Sequence, residues 1–128
     1  MTPMPRALAG TLAALALTAA GAQEADDAAA ERGAAVYRTV CAHCHDPLPE
    51  GAAIEMLPGP ESLALKYRGA LSPYITERPD LASVEVLRMF LRNGSGSMPP
   101  FRKTEISDED IAAIAAYFAR TSSASRSQ

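Results

Sequence analysis

Of the 128 residues only two are cysteine and two are histidine, and all four stand in one pentad, Cys41-Ala42-His43-Cys44-His45. A chain that concentrates these side chains in five positions can build few kinds of site. A disulfide between Cys41 and Cys44 would close a loop too small to staple anything. Tetrahedral zinc needs four ligands around one point, which a single pentad cannot supply without severe strain. A thioredoxin-like redox pair follows a strand at the start of a helix; this pair falls at the end of a helical stretch, and no strand pattern is evident. Residues three and four apart share a helix face, so one turn projects Cys41, Cys44 and His45 the same way and leaves Ala42 and His43 as spacers. Two thiols so placed can add across the two vinyl groups on one edge of a porphyrin, and the adjacent imidazole then faces the iron. The pentad is the attachment signal of c-type haem, so one covalent haem c is the expected cofactor.

His45 takes one axial position, and the other decides the function. No histidine lies outside the pentad, and His43 is tethered too close to reach the far face. Methionine is the next soft haem ligand. Met1 and Met4 belong to the N-terminal segment, Met56 lies in a proline-rich stretch, and Met89 sits in mid-helix; the last two read as packing residues. Met98 lies in Gly94-Ser95-Gly96-Ser97-Met98-Pro99-Pro100-Phe101, where a flexible approach and a stiff exit suit a ligand that crosses to the distal side. His45 and Met98 are therefore the expected metal ligands. Iron so closed has no open position for a substrate, so the chain is expected to carry single electrons by Fe(III)/Fe(II) and to have no catalytic residues. With Met98 off the iron, the same haem would instead bind gases or peroxide.

Residues 1–22 read as a secretory signal. Arg6 precedes an apolar stretch over residues 7–20, and Ala20-Gly21-Ala22 offers small residues to a signal peptidase, which places cleavage before Gln23. An uncleaved membrane anchor is the competing reading. The mature chain, residues 23–128, is expected to be a single periplasmic domain with an ordered core over about 26–121. No later apolar run is long enough to span a membrane. The formal net charge of −3, from 12 basic and 15 acidic residues, argues against a nucleic-acid partner, which needs a basic face. Aromatics are 5% of the chain and much of the apolar 48% is alanine, so the core is thin and a prosthetic group would help to fill it.

No segment alternates with period two, so the expected fold is all-α, with three main helices and long loops wrapped around the haem. The first helix runs from about Asp26 into the pentad, with Gly33, Val36, Tyr37 and Val40 on one face. The second covers residues 83–92, capped by Ser83, striped by Val84, Leu87 and Leu91, and ended by Asn93-Gly94. The third covers 108–120: Ser107 caps it, Asp110 completes a capping box, and Ile111, Ile114, Ala115 and Phe118 face inward. Residues 122–128 read as a polar, frayed tail. Residues 46–60 hold four prolines and two glycines and are expected to be extended or turned, followed by a helical turn at residues 63–67. Residues 71–82 are a second irregular piece. Loops this long in a compact domain are functional or wrapped around something.

At this point the chain resembles the class I c-type cytochromes over residues 31–118. The elements occur in order: Gly33-x-x-x-Tyr37, Cys41-Ala42-His43-Cys44-His45, Gly59-Pro60 with Leu63, Asn93-Gly94 leading to Met98-Pro99, and Tyr117. The resemblance implies that Gly33 and Tyr37 pack against Tyr117. It also implies that the Pro60 carbonyl accepts a hydrogen bond from the ligand histidine, and more loosely that Arg68 meets a haem propionate. Residues 92–108 further resemble the cytochrome subunits of periplasmic dehydrogenases such as p-cresol methylhydroxylase. That likeness implies redox protein partners: a dehydrogenase donor, with an oxidase or another cytochrome as acceptor. A tightly bound subunit drawing electrons from a flavoprotein or quinoprotein is the alternative to a free carrier. The loop at 46–57 and an insertion at 75–84 depart from that pattern.

Overall fold

The computed structural model describes the backbone of residues 9–127 and the side chains of residues 21–127. Among the described residues five helices follow one another: α1 (Ala9–Val40), α2 (Ala42–His45), α3 (Pro58–Tyr67), α4 (Val84–Asn93) and α5 (Asp108–Ser125). Two 3-10 turns, Ile75–Glu77 and Pro79–Ala82, lie between α3 and α4. Among the described residues there is no strand, and a single isolated bridge joins Ser95 to Met98. The all-α expectation is met.

The first helix begins well before Asp26. Its N-terminal half is alanine-rich, and alanine is the strongest helix former, so nothing local stops the helix where the polar residues begin. The expected signal segment lies only partly within the described residues: 1–8 fall outside them, and 9–22 belong to α1. Side chains 21–28 are exposed, and burial starts at Ala30. No helix among the described residues is long and apolar enough to cross a membrane.

The core forms where α1 crosses α5. Ala30, Ala34 and Tyr37 are buried on α1, and Ile111, Ala113, Ile114, Ala115 and Phe118 on α5. A Cβ on Gly33 would run into the Ala113 carbonyl and stand 2.9 Å from the Ile114 nitrogen. Only a residue without a side chain lets the two backbones meet this closely. One turn further on, the Tyr37 ring lies 5.4 Å from Tyr117 and 5.8 Å from Phe118, the latter edge-on. Such pairs contribute about 0.5–1.5 kcal/mol each beyond their burial. Of the packing implied by the family resemblance, the Tyr37–Tyr117 contact is present, whereas Gly33 meets Ala113, one turn before Tyr117 on α5. Ion pairs Arg32–Asp110 and Arg120–Glu31, both 2.9 Å, flank the crossing.

Helix α4 is capped by Ser83, whose hydroxyl accepts from the Val86 amide, and it buries Leu87 and Leu91 as expected. Ser107 and Asp110 form the expected capping box on α5. That helix continues beyond Arg120 to Ser125, and Ser122 is 1% exposed, so the frayed tail begins later than the composition suggests. Hydroxyls explain the extension. Thr121 donates outside the helix to the Thr76 carbonyl at 2.6 Å, while Ser122, Ser123 and Ser125 bond back to carbonyls one turn earlier; these serine hydroxyls are satisfied inside the helix.

The proline-rich stretch also differs. Residues 58–67 are a full ten-residue helix, not an extended run and one turn. Pro58 and Pro60 occupy its first turn, where the missing amide hydrogens would have had no helical partner anyway. The 75–84 insertion folds as two tight turns that place Leu81 in the core. Its Arg78 is buried, paired with Asp80, with its guanidinium 4.7 Å from the centre of the Tyr67 ring.

Two outcomes are expected. Gly33→Ala should lower folding stability by about 1–3 kcal/mol in denaturant titration, because the backbones must separate to admit the methyl. The second concerns Asp108, whose carboxyl is held at about 2, below its ordinary 3.8, by hydrogen bonds from Lys103 and then Arg92. The folded state binds this proton less readily than the unfolded one, so the contribution is complete above pH 3.8 and is lost as pH falls towards about 2. Asp108→Asn should flatten that part of the acid-denaturation profile.

Candidate functional site

The pentad closes the C-terminal end of α1. Cys41 interrupts the helix for one residue, yet its amide still donates to the Tyr37 carbonyl at 2.8 Å. Its own carbonyl accepts from Cys44 at 3.0 Å and from His45 at 3.1 Å. These bonds wind Cys41, Cys44 and His45 onto one turn, as the spacing predicts. Cys41 packs against the core cluster and is partly buried, Cys44 is exposed, and both are free thiols. His43 is exposed.

The electrostatics suit a ligand site better than a redox pair. Burial, then the neighbouring Cys44 and Asp46, push the Cys41 thiol up to about 11; a thioredoxin-type thiol is activated by a depressed value. Burial, followed by the nearby His43, lowers the His45 imidazole below its ordinary value, while Asp46 acts in the opposite sense. The ring is therefore neutral at neutral pH, with a lone pair available to a metal.

The first turn of α3 backs the imidazole. A Cβ on Gly59 would stand 2.6 Å from His45 Nδ1 and 2.9 Å from Cε1, and would also strike the Cys44 carbonyl. Pro60, next along, is fully buried. His45 Nδ1 is itself buried with no hydrogen-bond partner. An orphaned ring nitrogen is costly unless the imidazole is held for another purpose. The next residue, Asp46, ends the turn, and its Oδ1 accepts from the Tyr37 hydroxyl at 2.7 Å. Burial and this bond keep the phenol protonated, raising it well above its usual range. Sequence reasoning missed this bond; an acid next to the pentad and a tyrosine nine positions earlier were its signal.

Met98 is partly buried and packs against the same core cluster as Cys41. Its loop is tied to itself: Ser95 and Met98 exchange backbone bonds, both 3.0 Å. Gly94 has φ 74° and Gly96 φ 60°, and a Cβ on Gly94 would stand 2.6 Å from the Met98 carbonyl oxygen. The glycines thus close the loop instead of loosening it. The other methionines divide. Met56 is partly buried in the 46–57 loop, whereas Met89 is 52% exposed and not the packing residue expected. It sits midway between the inward-facing Leu87 and Leu91, on the opposite side of α4. Arg68 ends α3 in a left-handed conformation, φ 48°, and is exposed.

The residues present fit a covalently held haem. Two thiols and a neutral imidazole share one turn, a glycine lets the backbone lie against the ring, and a soft thioether stands on a braced loop. Gly59→Ala should reduce the haem-to-protein ratio measured by pyridine haemochrome assay and destabilise the fold by about 1–3 kcal/mol; parent-like values for both would contradict the close approach.

Residues 28–118 match the family model described as cytochrome C oxidase, cbb3-type, subunit III. No curated protein and no solved structure matches the chain.

Proposed function

The chain belongs to this cbb3-type subunit III family, a c-type cytochrome domain with covalently bound haem c that serves electron transfer, and from that premise we propose that it is an exported, monohaem carrier of single electrons. The observation that carries the reading is the turn holding Cys41, Cys44 and His45 against Gly59, with His45 Nδ1 buried and unpartnered. Cys41 and Cys44 would form the two thioether links to the haem, and His45 would ligate its iron. Met98 would supply a second ligand, a thioether, a role supported by its packing in the core cluster and by its closed loop.

When bound, the haem supplies the one-electron change between Fe(III) and Fe(II). The chain's own residues orient and enclose it. Helix α3 presses on the back of the imidazole; the Pro60 carbonyl that the family resemblance implies as acceptor makes no hydrogen bond to Nδ1 in this structure, and we propose that it takes that proton once the haem is attached, fixing the ring and tuning its basicity. Tyr37 holds Asp46 and with it the end of the turn. A thioether ligand favours reduced iron and raises the potential.

The N-terminal segment supports export, since its charge and small-residue pattern are those of a cleaved signal, and it makes the periplasm the working compartment. There the partners are redox proteins: a dehydrogenase as donor, and an oxidase or another cytochrome as acceptor. Attachment to a flavoprotein or quinoprotein dehydrogenase as a fixed subunit is the closely related alternative, which keeps the same haem chemistry.

Met98→Ala tests the assignment. The parent should show the weak near-infrared sulfur-to-iron band and resist carbon monoxide when reduced. The variant should keep its covalent haem, lose the band, bind carbon monoxide and have a lower midpoint potential. A parent that lacks the band and binds carbon monoxide readily would favour the gas-binding reading instead.

A further inference from the structure

Met98 rides on a loop, and a single side chain of the preceding helix grips the loop's far end. Arg92, near the end of α4, donates through one terminal nitrogen to the Phe101 carbonyl at 3.1 Å and through the other to Asp108 Oδ1 at 2.9 Å. The Phe101 amide in turn donates to the Leu91 carbonyl at 2.7 Å. Adjacent residues of α4 therefore hold both backbone groups of Phe101. Pro99 and Pro100 have no amide hydrogen, so Phe101 is the first residue after Met98 whose amide can anchor the chain. The Ser95–Met98 bonds brace the loop internally but attach it to no other element. Asp108 opens α5, and its other oxygen takes Lys103 at 2.8 Å, so the grip spans α4, the loop and α5.

Arg92 is not a solvated surface arginine. Its side chain is 19% exposed, and its Nε is buried with no partner. Leaving a donor unsatisfied is unfavourable, and the two terminal bonds offset it only while the fork keeps this orientation. A lysine could reach one of the two acceptors but could not bridge them in a rigid plane.

We propose that Arg92 is a positioning residue for Met98: its fork between the Phe101 carbonyl and Asp108 sets the exit of the loop and holds the thioether in its closed position. The proposal rests on the Met98 ligation read above. Breaking the fork lets the loop open more often without removing the sulfur, so an external ligand competes more easily for the iron.

Imidazole binding to the oxidised holoprotein, followed by absorbance, measures that opening, with Met98→Ala setting the upper limit of affinity. Arg92→Gln should keep its covalent haem and helical circular dichroism, yet bind imidazole at least tenfold more tightly than the parent. Amide hydrogen exchange at Phe101 should quicken at least tenfold. Arg92→Lys and Asp108→Asn, which each retain part of the fork, should fall between parent and Arg92→Gln; they decide the matter if Arg92→Gln does not fold. A parent that binds imidazole tightly like Met98→Ala overturns the ligation reading, and this proposal with it. A parent that resists imidazole, with all fork variants within twofold of it in both measurements, overturns the positioning role alone.

Discussion

The architecture depends on backbone meeting backbone where Gly33 of α1 lies against Ala113 of α5. Dispersion and burial reward close packing only when no side chain holds the helices apart. Alanines on both helices continue that approach, and the aromatic cluster of Tyr37, Tyr117 and Phe118 fills the space one turn on. The crossing ends where the pentad begins. A rigid helix pair therefore delivers the pentad turn to one place, and the hydrogen bond from Tyr37 to Asp46 carries that rigidity one residue past His45.

The two faces of the proposed site are built differently. On the His45 side, α1, α2 and the first turn of α3 hold the imidazole through helical geometry and direct backbone contact. On the Met98 side, a glycine-closed loop does the work, held at its far end by Arg92. Helical positioning tolerates little variation, whereas a loop has to be held by particular bonds. The contrast explains why polar side chains concentrate around the loop, in the Arg92, Lys103 and Asp108 group.

Much of this was legible in the residue pattern. The pentad spacing, the one-face periodicity of Gly33 and Tyr37, the Ser83 cap, and the Ser107–Asp110 capping box depend on local rules, and the structure has them where the spacing puts them. The departures come from context that local rules do not see. Pro58 and Pro60 read as helix breakers until they stand in a first turn, where they are harmless. Ser122 reads as a tail residue until Thr121 reaches the Thr76 carbonyl and anchors the end of α5. Met89 reads as packing from its place in mid-helix, until it falls on the face of α4 opposite Leu87 and Leu91. The grip of Arg92 on Phe101 and Asp108 joins residues nine and sixteen positions apart, a separation at which no sequence period operates.

The paired prolines at the start of α3 have one more effect. Helix N-termini ordinarily present free amide donors, yet here Pro58 and Pro60 have none to give, and they flank the glycine that touches the imidazole. The residues on either side of that glycine thus offer the ring no amide hydrogen. A neutral imidazole in such company is biased to the tautomer that carries its hydrogen on Nδ1, which frees the Nε2 lone pair on the opposite edge.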